Sequence, residues 1–280
     1  MVCLALLGLS ASAQVSVEVT LEQDQFLRGE AIKAAVRISN LSGRDLQLGA
    51  DDDWLTFTVE SKDGGVVAKL AEVPVKGEFV VESAQRATKR VNLEPYFGFN
   101  QPGRYSVVAN VRFKEWNQDR KSAPKSFFII EGAKMWEQEF GLPRTAGSTN
   151  EVPEVRKYTL QQANYIKGQL RLYLRVSDST GAHVFRTTPI GTILSFSHPE
   201  PRLDKFSNLH VIYQNWAKTY SYSVFNPGGE LLTRESYDYV DARPRLQTYD
   251  DGRVAVIGGV KRITAAEPVV GSPAPPVSPP

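Results

Sequence analysis

The sequence predicts an all-β protein of two domains, and three observations lead to that prediction. Apolar and polar residues alternate with a period of two, as in the stretch 15–21, which gives a strand one apolar and one wet face. Turn signals such as Asp63-Gly64-Gly65 recur about every 8 to 15 residues in the first half, where no stretch has the period of a helix. The second half contains an internal repeat, and a length of 280 residues suits two domains.

The internal repeat begins at Val176 and ends near Gly259. Three segments recur in order: 176–186 at 224–234, 201–203 at 244–246, and 209–213 at 254–258. A self-similar unit of this length resembles the blade-like β repeats, which bury their apolar face by stacking on a neighbour. Two repeats are too few to close a propeller. We therefore expect an open, antiparallel β repeat domain over residues 154–264, whose sheet ends are covered by the first domain, by the linker or by another subunit.

Residues 14–131 form the first predicted domain, with seven or eight short strands in the pattern of a β-sandwich. Near its end, Pro102-Gly103-Arg104-Tyr105 makes a sharp turn into the apolar strand 106–113. This segment resembles the immunoglobulin-like modules of exported bacterial proteins, in which a Pro-Gly-x-Tyr-x-Val turn and strand often comes near the end of the domain. The resemblance covers residues 15–131. It implies a fold and, by itself, no activity.

The two ends of the chain have distinct compositions. Residues 1–13 are a short apolar run that ends in a small-x-small pattern, which predicts a signal peptide cleaved before Gln14; the alternative is a buried N-terminal strand or helix. Cys3 is the one cysteine, and its loss with the leader would exclude disulfide bonds and thiolate sites from the mature chain. Residues 265–280 are rich in proline and predict an extended, disordered tail.

Residues 132–153 are predicted to be a linker because glycine, proline and small polar residues are frequent there. Within the linker, the stretch 135–140 contains Trp136 and predicts one helical turn. We expect this turn to dock the indole on a neighbouring domain, because an exposed tryptophan is unfavourable.

The predicted leader favours a secreted, periplasmic or cell-envelope location, and charge and hydropathy indicate no nucleic-acid surface and no integral membrane segment after signal cleavage. Lys and Arg number 33 against 31 Asp and Glu, and both signs are scattered, so no nucleic-acid or anionic-membrane surface is predicted. No segment after the leader reaches the ~20 apolar residues that a spanning helix needs.

The sequence contains none of the usual catalytic motifs: no nucleophile elbow, phosphate loop, paired zinc histidines or dinucleotide fingerprint. No catalytic residue and no cofactor is therefore predicted. His183, His198 and His210 lack the spacing of paired ligands, so no metal site is predicted from them. The run Asp51–Asp53 predicts a solvated loop, with calcium binding as the alternative. Four carboxylates are candidates for a glycosidase pair: Glu200, Asp204, Glu235 and Asp238.

Aromatic residues give the strongest functional signal, because exposed rings stack on sugars or anchor protein partners. The candidate binding residues are Trp116, Trp136, Trp216, Tyr220 and Tyr222. The alternative is that these rings fill the core of a disulfide-free β protein. The sequence thus predicts an exported, non-catalytic binding or structural protein that engages a protein partner through β-sheet edges and loop aromatics. A carbohydrate-binding or polysaccharide-active protein that uses the C-terminal domain is the alternative, and open sheet ends also favour self-association.

Overall fold

A computed structural model describes residues 15–142, 154–165 and 168–262. It confirms the all-β prediction: the described residues form strands, turns and two short 3-10 helices, Glu94–Tyr96 and Lys114–Trp116, and contain no α-helix. The predicted signal peptide, the tail 265–280 and residues 143–153 of the predicted linker lie outside the described residues.

The strands are numbered in chain order. They are β1 (Val15–Leu21), β2 (Gln25–Leu27), β3 (Lys33–Asn40), β4 (Leu46–Leu48), β5 (Leu55–Ser61), β6 (Phe79–Val81), β7 (Arg86–Asn92), β8 (Gly103–Phe113), β9 (Gln118–Lys121), β10 (Lys125–Ile130), β11 (Ala133–Gly141), β12 (Val155–Asn164), β13 (Leu170–Asp178), β14 (Val184–Ile193), β15 (Glu200–Leu203), β16 (Leu209–Trp216), β17 (Thr219–Phe225), β18 (Leu231–Asp238), β19 (Arg245–Thr248), β20 (Val254–Ile257) and β21 (Val260–Lys261).

Two sheets of the first half share one apolar core. One sheet has the order β1-β3-β7 and the other the order β2-β10-β8-β5, with β9 beside β8. Val36 and Ile38 of β3 are buried in this core while Arg37 between them is exposed, as the period of two requires. Phe127 of β10 packs in the same core, with its ring centroid 5.7 Å from that of Tyr105 in β8.

The predicted helical turn at 135–140 is wrong, because these residues belong to strand β11. This strand is the edge of a sheet with the order β11-β12-β13-β14. Phe140 is buried and its ring stacks on Tyr158 of β12 at 4.0 Å, whereas Glu137 and Glu139 are exposed. An edge strand tolerates such charges because they protect its open side from further pairing. The charges on an edge strand hid the strand period from the sequence pattern.

The chain divides into two compact units. The first holds the described residues of 15–140 and 155–190, and the second those of 141–154 and 191–262. In the second unit the sheet order is β15-β16-β17-β18-β21, and β19 pairs with β20. Leu246 of β19 and Val254 of β20 are buried in a core with residues of β16 and β17. This division differs from the predicted boundaries at 131 and 154, which stay a prediction.

The first repeated segment is a hairpin in both copies, and the two turns share one hydrogen bond and one left-handed glycine, although the first turn is one residue longer. In the turn after β13, the amide of Gly181 donates to the carbonyl of Asp178 at 3.1 Å, and in the turn after β17 the amide of Gly229 donates to that of Asn226 at 2.8 Å. Both glycines have φ of 78°. A type I turn followed by a left-handed residue is a common hairpin connection. The sequence repeat therefore marks a repeated hairpin turn.

Candidate functional site

The five predicted binding residues lie in different surroundings. Trp116 is half-buried and stacks on Phe113 at 5.8 Å, packed against the first core. Trp136 is half-buried on β11. Both belong to the first unit, so the structure provides no single patch that holds all five aromatics within one unit.

The other three candidates belong to the second unit, and they differ sharply in exposure. Tyr220 and Tyr222 are 4% and 7% exposed and lie in the core beneath β19 and β20. Trp216, at the end of β16, is 72% exposed. Trp216 is therefore the most exposed of the five candidates.

Further apolar side chains are exposed at the end of the sheet where Trp216 lies. We call this surface the aromatic end and define it by Phe196, Trp216, Tyr239 and Val240, which are exposed by 72%, 72%, 43% and 62%. The backbone connects these segments: Leu194 donates to the carbonyl of Gln214 at 3.3 Å, and Tyr239 donates to that of Lys218 at 2.8 Å. Sequence reasoning missed Phe196, Tyr239 and Val240 as binding residues, because two loops that are distant in sequence, after β14 and after β18, bring them to this end.

A buried polar network lies on the core-facing side of the same sheet. Nδ1 of His210 on β16 is 2.7 Å from the hydroxyl of Tyr222 on β17, and Nε2 is 3.3 Å from Oδ2 of Asp204. The side chain of Asn208 and its backbone amide both donate to the Asp204 carboxylate at 2.9 Å. These contacts fix the ring of His210 and give each of its nitrogens a partner.

The surroundings of Tyr222 keep its hydroxyl protonated. Burial, reinforced by the charges of Glu235 and Asp204, raises the pKa of Tyr222 to about 12. A phenol that keeps its proton can donate to Nδ1 of His210; in the tautomer that accepts this hydrogen bond, the imidazole proton is on Nε2 and faces Asp204. The arrangement suits a structural link between strands better than a nucleophile, because a nucleophile needs a lowered pKa.

The four carboxylates predicted as a glycosidase pair each have a basic partner. Glu200 lies 3.5 Å from Arg202, Asp204 3.3 Å from His210, and Asp238 2.7 Å from Arg262; Lys261 donates to Glu235 at 2.5 Å. Burial raises the pKa of the Glu235 carboxyl, but hydrogen bonds from Lys261 and Tyr237 outweigh it, so the net shift is downward. A glycosidase general acid needs a raised pKa. The geometry therefore does not favour Glu235 in that role.

The acidic run Asp51–Asp53 faces cationic side chains. Lys114 lies 2.6 Å from the carboxylate of Asp51, and Arg112 of β8 pairs with Asp53. Within the ranges that the structure describes, no three His, Cys, Asp or Glu side chains are placed to hold a metal ion. His198 is exposed, and His183 lies against the ring of Phe185 at 4.7 Å.

A cleft of about 380 Å³ in the first unit brings together residues that sequence reasoning did not connect. Arg28, Glu94, Phe97 and His183 line it. Burial raises the pKa of the Glu94 carboxyl. His183 comes from the turn after β13. No local sequence motif predicts that this turn lies against the segment 94–100. This cleft is a second place in the molecule where ionisable groups meet apolar rings.

Comparison with known proteins does not assign the chain to a family. No family model matches it, and no curated protein matches it. Among solved structures, Spo0M, a sporulation control protein from Bacillus subtilis, is similar with a TM-score of 0.32 and 9% sequence identity over 89% of this chain and 91% of that chain. A likeness at this level supports no argument about fold or function. No helix in the described part of the chain has the length and hydropathy to span a membrane.

Proposed function

We propose that the protein is an exported, non-catalytic binding protein that engages a protein partner through the aromatic end. The observation that supports this most directly is the exposure of Trp216, at 72%, at the same end of the sheet as the equally exposed Phe196. Tryptophan and other aromatic residues are enriched at the centres of protein interfaces, where burying one ring contributes a large part of the binding energy. A monomer gains nothing from leaving such rings in water.

The finer architecture is part of the proposal. We propose an immunoglobulin-like sandwich over residues 14–131 and blade-like repeats over residues 154–264. Support for the sandwich comes from two sheets that share one core and from the Pro102-Gly103 turn that begins β8. Support for the repeats comes from the matched hairpin turns at Gly181 and Gly229. Such modules commonly present binding loops at the ends of their sheets.

Export is supported by the sequence of the first 13 residues and by the cysteine content. The leader carries the one cysteine, so the protein after cleavage would fold by core burial without depending on the redox state of its compartment. We propose a cell-envelope or extracellular location for the binding function. Unpaired sheet edges, β11 among them, give a second surface for a partner or for self-association.

A carbohydrate ligand is the second candidate, because one exposed flat ring also stacks well on a sugar. Trp216 is the feature that favours it. The two candidates differ in what the aromatic end needs: a protein partner buries several of its side chains together, whereas a sugar needs mainly the indole.

The test is an affinity capture with the immobilised full chain. A solubilised envelope fraction is passed over it first, and purified wall or matrix polysaccharides second. Retention of one protein, lost in both Trp216→Ala and Phe196→Ala, supports the proposal. Retention of polysaccharide alone, lost in Trp216→Ala and kept in Phe196→Ala, favours the carbohydrate candidate and contradicts the protein-partner proposal.

A further inference from the structure

The second unit contains a pocket of about 480 Å³ that the proposed function does not use. Arg243, Arg245 and Glu200 are the charged residues that line it. Ile257 contributes an apolar surface and Gly258 an exposed stretch of backbone. A pocket of this size accommodates one or two sugar rings or a ligand of similar bulk.

The two arginines differ from others of the same unit. Arg202, Arg253 and Arg262 each lie within 3.5 Å of a carboxylate oxygen. By contrast, no carboxylate in the described residues lies within salt-bridge distance of Arg243 or Arg245. Arg243 and Arg245 thus line one pocket, and neither has a carboxylate partner among the described residues. Guanidinium groups bind carboxylates and phosphates through paired, charge-assisted hydrogen bonds.

The backbone that carries the arginines is held in place. Pro244 between them is buried, and Arg245 pairs with Ile257 in the β19–β20 ladder. Gly259 donates to the carbonyl of Ala242 at 2.9 Å, and a Cβ on Gly259 would lie 2.4 Å from Cγ of Pro244. The neighbouring turn therefore packs directly on this segment. The site is preorganised, which lowers the entropic cost of binding.

Arg243 is also oriented by an aromatic ring. Its guanidinium carbon lies 5.4 Å from the ring centroid of Tyr220, a cation–π contact with a buried residue of β17. This contact occupies one face of the guanidinium plane and leaves the N–H groups at its edge for a ligand.

We propose that this pocket binds an acidic saccharide, with the sugar carboxylate on Arg243 and Arg245 and hydroxyl groups donating to Glu200. The pair of arginines requires an anion. The carboxylate of Glu200 disfavours a ligand that is charged all over, such as a polyphosphate, and accepts hydrogen bonds from hydroxyl groups. Ile257 supplies the apolar contact that one face of a sugar ring makes. This site is independent of the aromatic end, so either proposal stands if the other fails.

The experiment measures binding of glucuronate and glucose to the full chain by saturation-transfer NMR. Inorganic phosphate, which has no carbon-bound proton to observe, is tested as a competitor of glucuronate. We expect glucuronate to bind at least about tenfold more tightly than glucose, since each charge-assisted hydrogen bond contributes that order of affinity. Arg243→Gln and Arg245→Gln each weaken glucuronate binding about tenfold or more. Arg253→Gln, which removes an arginine paired with Asp251 away from the pocket, leaves it unchanged.

The outcomes separate the possible ligands. Glucuronate that binds no better than glucose, or binding that survives both arginine substitutions, overturns the proposal. Phosphate that competes as an equal shows a plain anion site and overturns the saccharide assignment. Glu200→Gln gives an independent check: we expect it to strengthen phosphate relative to glucuronate, because it removes a negative charge from the wall. Circular dichroism confirms that each variant is folded.

Discussion

The hydroxyl of Tyr222 lies 2.7 Å from Nδ1 of His210. This contact joins β17 to β16 on the core-facing side of the sheet β15-β16-β17-β18-β21 in the second unit. Both side chains are 7% exposed. Because Asp204 holds the other nitrogen of the imidazole, the three residues form a chain of hydrogen bonds that starts in the turn after β15. The stability of the second unit depends on this chain remaining complete.

Removal of the hydroxyl in Tyr222→Phe is predicted to destabilise the protein by about 1 to 3 kcal/mol, because it leaves a buried imidazole nitrogen without a partner. Urea unfolding followed by circular dichroism measures the change. The control is Tyr249→Phe, which removes a hydroxyl from a ring that is 38% exposed and is predicted to change stability by less than about 0.5 kcal/mol. Equal effects in the two variants would contradict a structural role for the Tyr222–His210 contact.

Asp204 is predicted to make stability fall in acid. Burial raises the pKa of its carboxyl, but hydrogen bonds from Asn208, His210 and Phe206 outweigh burial, so the pKa lies below its usual value. A lowered pKa gives stability that is present above the pKa of the unfolded chain, about 3.9, and is lost as pH falls below it. Asp204→Asn removes the titrating group. The variant is therefore expected to lose less stability than the wild type between pH 5 and 3 in urea titrations.

Glu30 is predicted to make stability fall as pH rises, which is the opposite of the effect of Asp204. It is 4% exposed, and burial raises the pKa of its carboxyl despite hydrogen bonds from the backbone of Leu27 and the side chain of Gln23. A raised pKa gives stability that is complete below the unfolded value, about 4.3, and is lost as pH rises toward the folded value.

Glu30→Gln is consequently predicted to gain stability relative to the wild type as pH rises from 4 to 7. Urea unfolding of both proteins across this range measures the difference. A stability difference that stays constant with pH would show that the carboxyl titrates alike in the folded and unfolded chains.

A substitution at Gly49 tests the close packing of the loops beside β4. Its φ is +88°, and a Cβ at this position would lie 2.1 Å from the carbonyl oxygen of Gly77. Gly49→Ala is predicted to cost about 3 kcal/mol or more, from the left-handed backbone and the backbone clash together. Gly64→Ala is the matched control, because Gly64 has a φ of +84° and nothing within 4 Å of its Cβ position. It is expected to cost only about 1 to 2 kcal/mol.

The all-β class could be predicted because its signals are local. Alternation in 15–21 and the turn residues Asp178, Gly181, Asn226 and Gly229 act within a few positions of the chain, and the structure forms its hairpins at those residues. Strand β11 was missed because its charges lie along an open edge, where no neighbouring strand forces an apolar pattern.

The candidate surfaces could be predicted only in part. Tyr220 and Tyr222 alternate with serines in β17, which predicts that the two rings share one face of a strand. The pattern does not say whether that face meets solvent or the core, and in the structure every residue of β17 is buried. The aromatic end and the pocket around Arg243 are assembled from separate loops and strands, and their formation depends on strand order. A single sequence carries no signal of strand order at that distance.

The central claim is that the aromatic end is the binding surface, and the most direct test compares Trp216→Ala with Phe206→Ala for the protein that the immobilised chain captures. Phe206 is 59% exposed and lies in the turn after β15. The substitution Phe206→Ala therefore removes a similarly exposed ring from another surface of the same unit. The account predicts that Trp216→Ala weakens binding by at least about tenfold, as expected for an interface anchor, and that Phe206→Ala leaves it unchanged. Unchanged binding in Trp216→Ala, with the variant folded, would contradict the account.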